Sequence, residues 1–404
     1  MGDQVTLALV GIGGYGNRYV SAVLDAPTSN DIRLIAVVDP NPATCKRLGE
    51  LRQRNMPLYP SMDALYAEHR PDVVIISTPL HLHAEQTCLA LSRGSHVLCE
   101  KPLCVTPQQG CEMLQARERA HKTVAIGYQW SFSQAIQSLK ADVLAGKLGR
   151  PKRLRTLVLW PRDETYYRRN SWAGATRDAR GNLVLDSPVN NACAHYLHNM
   201  LYVTGGKIDR SAQPQTLLAE LYRAHPIDNY DTAALRYVTA DGAIGLFIAS
   251  HAVGARRGPI LHYEFENATV EFRDRPGATI VARFADGTIK DYGSPNDDRD
   301  EKLWLTVRAA RNGAADQPPI PCGIEAAAPH TLCTWAAQES MPEITPFPQP
   351  LIQVSGVAGA RQTVVRELDQ ALADCYEQWR LPSELGFGWA TPGREVAVPE
   401  SLCT

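Results

Sequence analysis

The amino-acid sequence predicts an α/β chain: an N-terminal doubly wound parallel sheet, then an α+β C-terminal domain with a largely antiparallel open sheet. Three observations lead there. Over the first 126 residues short apolar runs alternate with helix-patterned stretches, as βαβ units require. Beyond Tyr128, strand-like runs follow one another across long polar loops. A length of 404 residues allows two or three domains, each with its own core. The expected divisions are residues 1–127, 128–345 and 346–404, the last a C-terminal extension with a long helix.

Taken in order, Thr6–Val10, Leu34–Val38, Val73–Ser77, His96–Cys99 and Thr123–Ile126 are apolar and short enough to be buried strands. Between them Met62–Glu68 and Ala84–Ser92 carry apolar residues at helical spacing. A helix over Ser133–Ala145 stops at Gly146. Strands are then expected at Arg153–Trp160, Gln215–His225, Thr232–Tyr237, Ala243–His251, Leu261–Glu266, Thr269–Arg273 and Thr279–Phe284. One helix, Ala192–Tyr202, interrupts them, with Gly205 and Gly206 as C-cap candidates. Val354–Arg380 reads as one long amphipathic helix stopped by Pro382.

Composition excludes several function classes. Forty-one Lys and Arg against forty-three Asp and Glu give a net charge of −2, which offers no global field for nucleic acid. The longest apolar runs fall far short of the roughly 20 residues that a bilayer span needs, so no membrane partner is expected. Ten cysteines stand singly, without C-x-x-C or zinc spacing, which favours a reducing compartment. The first strand begins by Val5 and leaves no room for a leader, so a cytoplasmic location is expected.

Gly11, Gly13 and Gly16 form G-x-G-x-x-G between the first strand and a helix, with Gly14 and Tyr15 completing the loop. Such a loop permits a tight turn, backbone approach to a pyrophosphate and close helix–strand contact, the fingerprint of a Rossmann domain. Asp39 ends the second strand, where its carboxylate can accept from a ribose 2′-hydroxyl and would repel a 2′-phosphate. NAD is therefore favoured over NADP; the alternative is that Asp39 only caps the next helix.

Several motifs then recur in a fixed order: the glycine loop, Asp39, Thr78–Pro79 with His83, Glu100–Lys101–Pro102, Gly127–Phe132 and a later helix bearing histidines. In this the chain resembles the Gfo/Idh/MocA oxidoreductases, NAD(P)-dependent dehydrogenases of sugars, inositols and related polyols, over about residues 5 to 335. The resemblance implies that Thr78 and Pro79 line the cofactor, that His83 lies near its nicotinamide end and that Gln129 stands where the family often has asparagine. It also implies that Lys101 lies beside the nicotinamide and bonds the reacting hydroxyl, with Glu100 positioning it. The chemistry agrees, because carbinol oxidation needs a hydride acceptor, a base and a donor to the developing alkoxide. Lys101 follows a strand at the edge where parallel sheets bind ligands, and Pro102 restricts its backbone.

A second constellation runs through Asp186, Asn190, Asn191, His195 and His198. His195 and His198 are three apart on the expected helix and share a face, with Asn191 one turn earlier. The resemblance makes His195 the general base, oriented by an acid whose place Asn191 takes; an amide can still hold the imidazole N–H but stabilises no imidazolium. His198 is the alternative base. A metal held by both histidines and Asp186 is another reading, set aside in favour of none. The loop Trp160, Arg162, Tyr166, Tyr167, Arg168, Arg169, Asn170, Trp172 offers aromatic faces for sugar C–H groups and donors for hydroxyls. Tyr167, Asn170, Trp172 and Asn190 are the expected substrate contacts; a dimer contact is the alternative use of this loop.

The function that follows is NAD-dependent oxidation of a secondary hydroxyl of a sugar, glycoside or inositol to a ketone. The alternative is a redox-neutral glycosidase or lyase that oxidises transiently and eliminates a group. By resemblance the chain forms a homodimer or homotetramer through the open face of its second sheet.

Overall fold

A computed structural model describes residues 4–27, 31–312 and 319–404. The first sheet contains β1 (Val5–Val10), β2 (Ile32–Val38), β3 (Leu58–Tyr59), β4 (Val73–Ile76), β5 (His96–Cys99) and β6 (Val124–Ile126). Its spatial order is β3-β2-β1-β4-β5-β6 with every pairing parallel. All four residues of β4 and of β5 are buried, as strands covered on both faces must be. Five helices connect these strands: α1 (Gly16–Leu24), α2 (Leu48–Gln53), α3 (Met62–Glu68), α4 (His83–Ser92) and α5 (Pro107–Ala120). Strand order reverses between β1 and β4, which opens a crevice at their carboxyl ends, where such sheets take ligands.

The chain next forms α6 (Gln134–Leu144), which starts on the Ser133 side chain, then β7 (Pro151–Leu159) and α7 (Glu164–Arg168). A single π-helical turn at Pro188–Ala192 precedes α8 (Ala194–Thr204). Strands β8 (Pro214–Arg223), β9 (Thr232–Thr239), β10 (Ile244–Ser250), β11 (Arg257–Phe265), β12 (Ala268–Arg273), β13 (Val281–Phe284) and β14 (Ile289–Asp291) follow. After α9 (Glu301–Asn312) and α10 (Ile324–Ser340) comes the short edge strand β15 (Thr345–Pro346). The second sheet runs β14-β13-β12-β11-β7-β10-β9-β8-β15. It is antiparallel except where β10 meets β7 and β15 meets β8. Side chains alternate across it: Leu154 and Val158 of β7 join the main core with α8, whereas Leu157 and Leu159 face the C-terminal extension.

Helices α9 and α10 carry no expectation from sequence. Helix α10 is buried nearly all round, so it lacks the polar face that reveals a helix by periodicity. Helix α9, from the stretch assigned to the second domain, lies instead on the first sheet against β1, β4, β5 and β6.

The extension departs from the expected long helix. Ile352–Ser355 (β16) and Gln362–Val365 (β17) form an antiparallel hairpin, and only Leu368–Gln378 (α11) is helical. Gly356 and Gly359 adopt positive φ in the turn, and the β-branched Thr363, Val364 and Val365 suit a strand. Leu368, Leu372 and Tyr376 of α11 cover the outer sheet face over Leu157, Leu246 and Ile248. A second copy pairing through that face would meet α11 there instead of open sheet. The last strand, β18 (Val396–Ala397), pairs with β8.

Cys111 and Cys403 form a disulfide across 292 residues of sequence, contrary to the reduced thiols expected from spacing. So long a separation leaves no local spacing signature, and the other eight cysteines are free. Among the described residues no helix is long and apolar enough to cross a membrane.

Candidate active site

The glycine loop is forced by contacts at the carboxyl end of β1. Gly11 has φ +79°, and a Cβ there would stand 2.6 Å from the Ser77 carbonyl oxygen. A Cβ on Gly16 would come within 2.0 Å of the Gly11 carbonyl oxygen, and one on Gly13 within 2.2 Å of Thr44 Oγ1. Gly14 has φ +48° with open space beside it, and half-exposed Tyr15 donates to Gln129 Oε1 at 3.2 Å. Asp39 accepts from the Ile12 N–H at 3.0 Å and the Asn41 N–H at 2.8 Å, so its carboxylate sits at the rim of the loop. Arg47, the nearby guanidinium, is engaged by Asp25 and Glu50. A cradle that side chains would fill, with a carboxylate beside it, fits NAD, and that carboxylate would repel a 2′-phosphate. Asp39→Ser is expected to weaken NAD binding by roughly 10- to 100-fold and to leave NADP binding unchanged or improved, read by NADH and NADPH fluorescence titration.

His83 is held by two backbone carbonyls. It is buried, with Nδ1 2.7 Å from the Pro102 carbonyl and Nε2 3.1 Å from that of Thr78. It ties together the loops after β4 and β5. Thr78 donates from Oγ1 to Gln86 Oε1 at 2.6 Å, and Pro79 follows at the start of that loop.

Glu100 is buried at the end of β5, accepting from Tyr19 Oη at 2.5 Å, from the Lys302 ammonium and from the Lys101 N–H at 3.2 Å. Gly127 lies against it, and a Cβ there would meet the carboxylate at 2.8 Å. Burial alone would raise this carboxyl, but Lys302, Tyr19 and Lys101 outweigh it and hold Glu100 below the usual carboxylate range.

Lys101 is pushed down to about 8 by burial, against the pull of Glu100 and Asp186. Its Nζ donates to the Asn191 carbonyl at 2.7 Å and to Asn191 Oδ1 at 2.9 Å. Asn191 in turn donates from Nδ2 to Asp186 Oδ1 at 2.8 Å, and Asp186 Oδ2 accepts from the Gly174 N–H at 2.6 Å. Burial raises the Asp186 carboxyl against Arg169, the Gly174 N–H, Asn191 and Lys101. Asn191 therefore orients Lys101 and not, as expected, the His195 imidazole. The π-helical turn ends at Ala192 and α8 starts at Ala194, so residues 191 and 195 are not stacked one turn apart.

His195 lies partly exposed at the start of α8, and its Nδ1 has no hydrogen-bond partner. Burial, then the charges of Lys101, Lys302, His198 and His330, hold the imidazole well below its usual value, so it is neutral at pH 7. His198 does not join it in the crevice. Its side chain is 1% exposed, its Nε2 lies 2.9 Å from Ser131 Oγ, and its ring stacks on Tyr128 at 3.9 Å. Tyr128 bonds His330 Nδ1 at 2.8 Å, and His330 Nε2 lies 3.1 Å from the Val189 carbonyl, which braces the turn carrying Asn191. Among the described residues no group of three or more His, Cys, Asp or Glu side chains is placed to hold a metal ion.

The expected substrate loop divides. Tyr167 turns inward, its ring 4.8 Å from His225, which is paired with buried Asp231. Asn170 accepts from the Trp172 N–H at 3.1 Å and so shapes the loop. Trp172 meets His81 edge-on at 6.4 Å and joins a small cluster with Leu80, Val105 and Val184, bridging to the first sheet. Asn190 is 2% exposed and donates to the Leu185 carbonyl at 3.2 Å, so it belongs to the turn and not to the crevice wall. The hairpin β16–β17 holds this loop: Gly359 N–H donates to Glu164 at 2.8 Å and Glu164 N–H to the Arg361 carbonyl at 2.9 Å.

Residues 5–128 match the model of the oxidoreductase family with an NAD-binding Rossmann fold. D-glucoside 3-dehydrogenase of Escherichia coli (strain K12) is 32% identical over 147 residues, 36% of this chain and 41% of that one. An inositol 2-dehydrogenase of Acidothermus cellulolyticus is 28% identical over 150 residues, 37% and 43% of the two chains. The chain thus spans about two fifths of the length of the curated relatives it matches. The solved WlbA dehydrogenase from Bordetella pertussis, in complex with NADH and UDP-GlcNAcA, superposes with a TM-score of 0.65 at 20% identity, covering 83% of this chain and 95% of that one. The aldose-aldose oxidoreductase from Caulobacter crescentus, also 0.65, is 19% identical and covers 83% and 98%. Both share the two-sheet fold described above. Residues 5–128, with the glycine loop and Asp39 at its cradle, match the NAD-binding Rossmann domain of the Gfo/Idh/MocA oxidoreductases.

Proposed function

We propose that the chain is an NAD-dependent dehydrogenase that oxidises a secondary hydroxyl of a sugar-like substrate to a ketone, with Lys101 and His195 as catalytic residues. The observation that carries this is the relay Asp186–Asn191–Lys101, which fixes an ammonium at the carboxyl edge of the nucleotide-binding sheet. An ammonium has three donors; two are held by Asn191, and the third is left for a substrate oxygen. Bound NAD supplies the hydride acceptor. Lys101 donates to the hydroxyl oxygen and stabilises charge that develops on it. His195, neutral at pH 7, takes the hydroxyl proton. Glu100 and Asn191 are positioning residues.

The proposal is tested by incubating the chain with NAD and a panel of sugars, inositols and glycosides while following NADH and product together. One NADH per ketone supports it; cleaved product without NADH would support transient oxidation and elimination.

The pH dependence follows from the two shifts. His195 loses its proton well below neutrality, so kcat/KM is expected to be flat through pH 7. Above about pH 8 Lys101 loses the positive charge that stabilises the developing alkoxide, and the rate falls. A rate that climbs through pH 8 would instead make Lys101 the base.

A further inference from the structure

Three arginines of the second domain are stacked on aromatic rings. The Arg162 guanidinium lies 4.5 Å from the centre of the Tyr166 ring, Arg169 lies 3.7 Å from the same ring, and Arg256 lies 4.3 Å from that of Trp160. These aromatic faces are therefore occupied and are not free to stack on sugar C–H groups. Stacking instead fixes the planes of the guanidiniums and leaves their N–H edges to act as donors.

Their partners within the chain are incomplete. Arg256 approaches Asp274 only to 3.8 Å, and Arg169, which donates to the Tyr166 carbonyl at 2.5 Å, approaches Asp186 only to 3.7 Å. Among the described residues Arg162 has no ion pair, and its Nε is buried without a hydrogen-bond partner. The other nearby carboxylate, Asp231, is engaged by His225 Nδ1 and by the N–H groups of Ala224 and His225. A buried donor without a partner is costly unless a ligand completes it.

The cations belong to the same crevice as Lys101. Burial pushes the Cys193 thiol up to about 12, against the pull of Arg162, Lys101 and Arg256. Cys193 stands between Asn191, which holds Lys101, and His195. Trp160, under Arg256, meets Tyr196 edge-on at 5.5 Å, and Tyr196 is the neighbour of His195.

Resting on the dehydrogenase reading of this crevice, we propose that its sugar substrate is anionic, with a carboxylate or phosphate received by Arg162 and flanked by Arg256. Planar guanidinium edges suit the paired oxygens of either group. Arg169, drawn toward Asp186, holds the wall beside them.

The test is calorimetric titration of the NAD-loaded chain with glucose, glucuronate and glucose 6-phosphate at low and high salt. At least one of the two anions is expected to bind about 10- to 100-fold tighter than glucose, with an advantage that shrinks as salt rises. The arm that wins distinguishes carboxylate from phosphate. Arg162→Gln is expected to remove that advantage while changing glucose affinity little, and Arg256→Gln to reduce it less. NAD affinity, measured on each variant, reports that the fold is kept. Equal affinity for all three sugars, no measurable binding of either anion, or an anion advantage untouched in both variants would overturn the proposal. Arg162-dependent anion binding without NADH formation would leave it standing and remove the dehydrogenase reading instead.

Discussion

Lys101→Met is expected to lower kcat with the preferred substrate by roughly 10³-fold, since it removes the donor to the reacting oxygen. NAD affinity should hold, because the glycine loop and Asp39 make no contact with this side chain. The fold should also hold. Lys101 is pushed down to about 8, below the value of a free lysine, so its ionised form is disfavoured by the folded chain at every pH below about 8. Taking it away removes that penalty, and the melting temperature at pH 7 is expected to stay level or rise. Lost turnover with an undiminished melting temperature is the signature of a catalytic group; a structural lysine would lower both. Lys101→Arg should not rescue turnover, because a guanidinium fork cannot place one donor on Asn191 Oδ1, another on its carbonyl and a third on substrate with the compact geometry of an ammonium.

What was legible in the sequence is what depends on neighbours in the chain. The glycine loop, Asp39 and the strands of the first sheet follow from local rules of turn and burial, and they stand where those rules put them. The relay from Asp186 to Lys101 spans 85 residues of sequence and depends on a π-helical turn, so helical spacing pointed Asn191 at His195. His198 differs for a related reason: two residues three apart lie on one helix face, but the one a turn further along is buried against Tyr128. His330 was invisible because a buried histidine looks like core until its partner is known. Arg162, Arg169 and Arg256 were read as hydroxyl donors or passed over; that aromatic rings carry them, in place of sugar, is a tertiary fact. In the extension, apolar residues at helical spacing over Val354–Arg380 outweighed two glycines and a β-branched run, and the hairpin shows that turn chemistry should have decided.

Lys302→Met should be the most destabilising single change near the site. Lys302 has a fully buried side chain, donates to Glu100, lies 3.3 Å from Tyr15 Oη, and comes from α9, which the sequence did not connect with the cofactor domain. Attraction to Glu100 and Tyr15 outweighs burial and raises the ammonium above its ordinary value, as the same pair depresses the Glu100 carboxyl. The signs fix where the pair contributes. The Glu100 share is lost only as pH falls through its depressed folded value, and the Lys302 share only as pH rises through its raised one, so both are in full force at neutrality. Removing Lys302 strands a buried carboxylate with Tyr19 and the Lys101 N–H, at a cost of about 3–5 kcal/mol, several degrees of melting temperature. Without Lys302 burial is opposed less and the Glu100 carboxyl rises, so acid should relieve the variant by protonating it. The gap in melting temperature between Lys302→Met and the parent chain is then widest near pH 7 and narrows toward pH 4. Adding Glu100→Gln to Lys302→Met should recover much of the loss, since a neutral amide needs no buried counter-charge. A gap that is constant with pH, or a double variant no more stable than the single one, would mean that α9 is held by its apolar contacts and that the ion pair contributes only placement of Lys101.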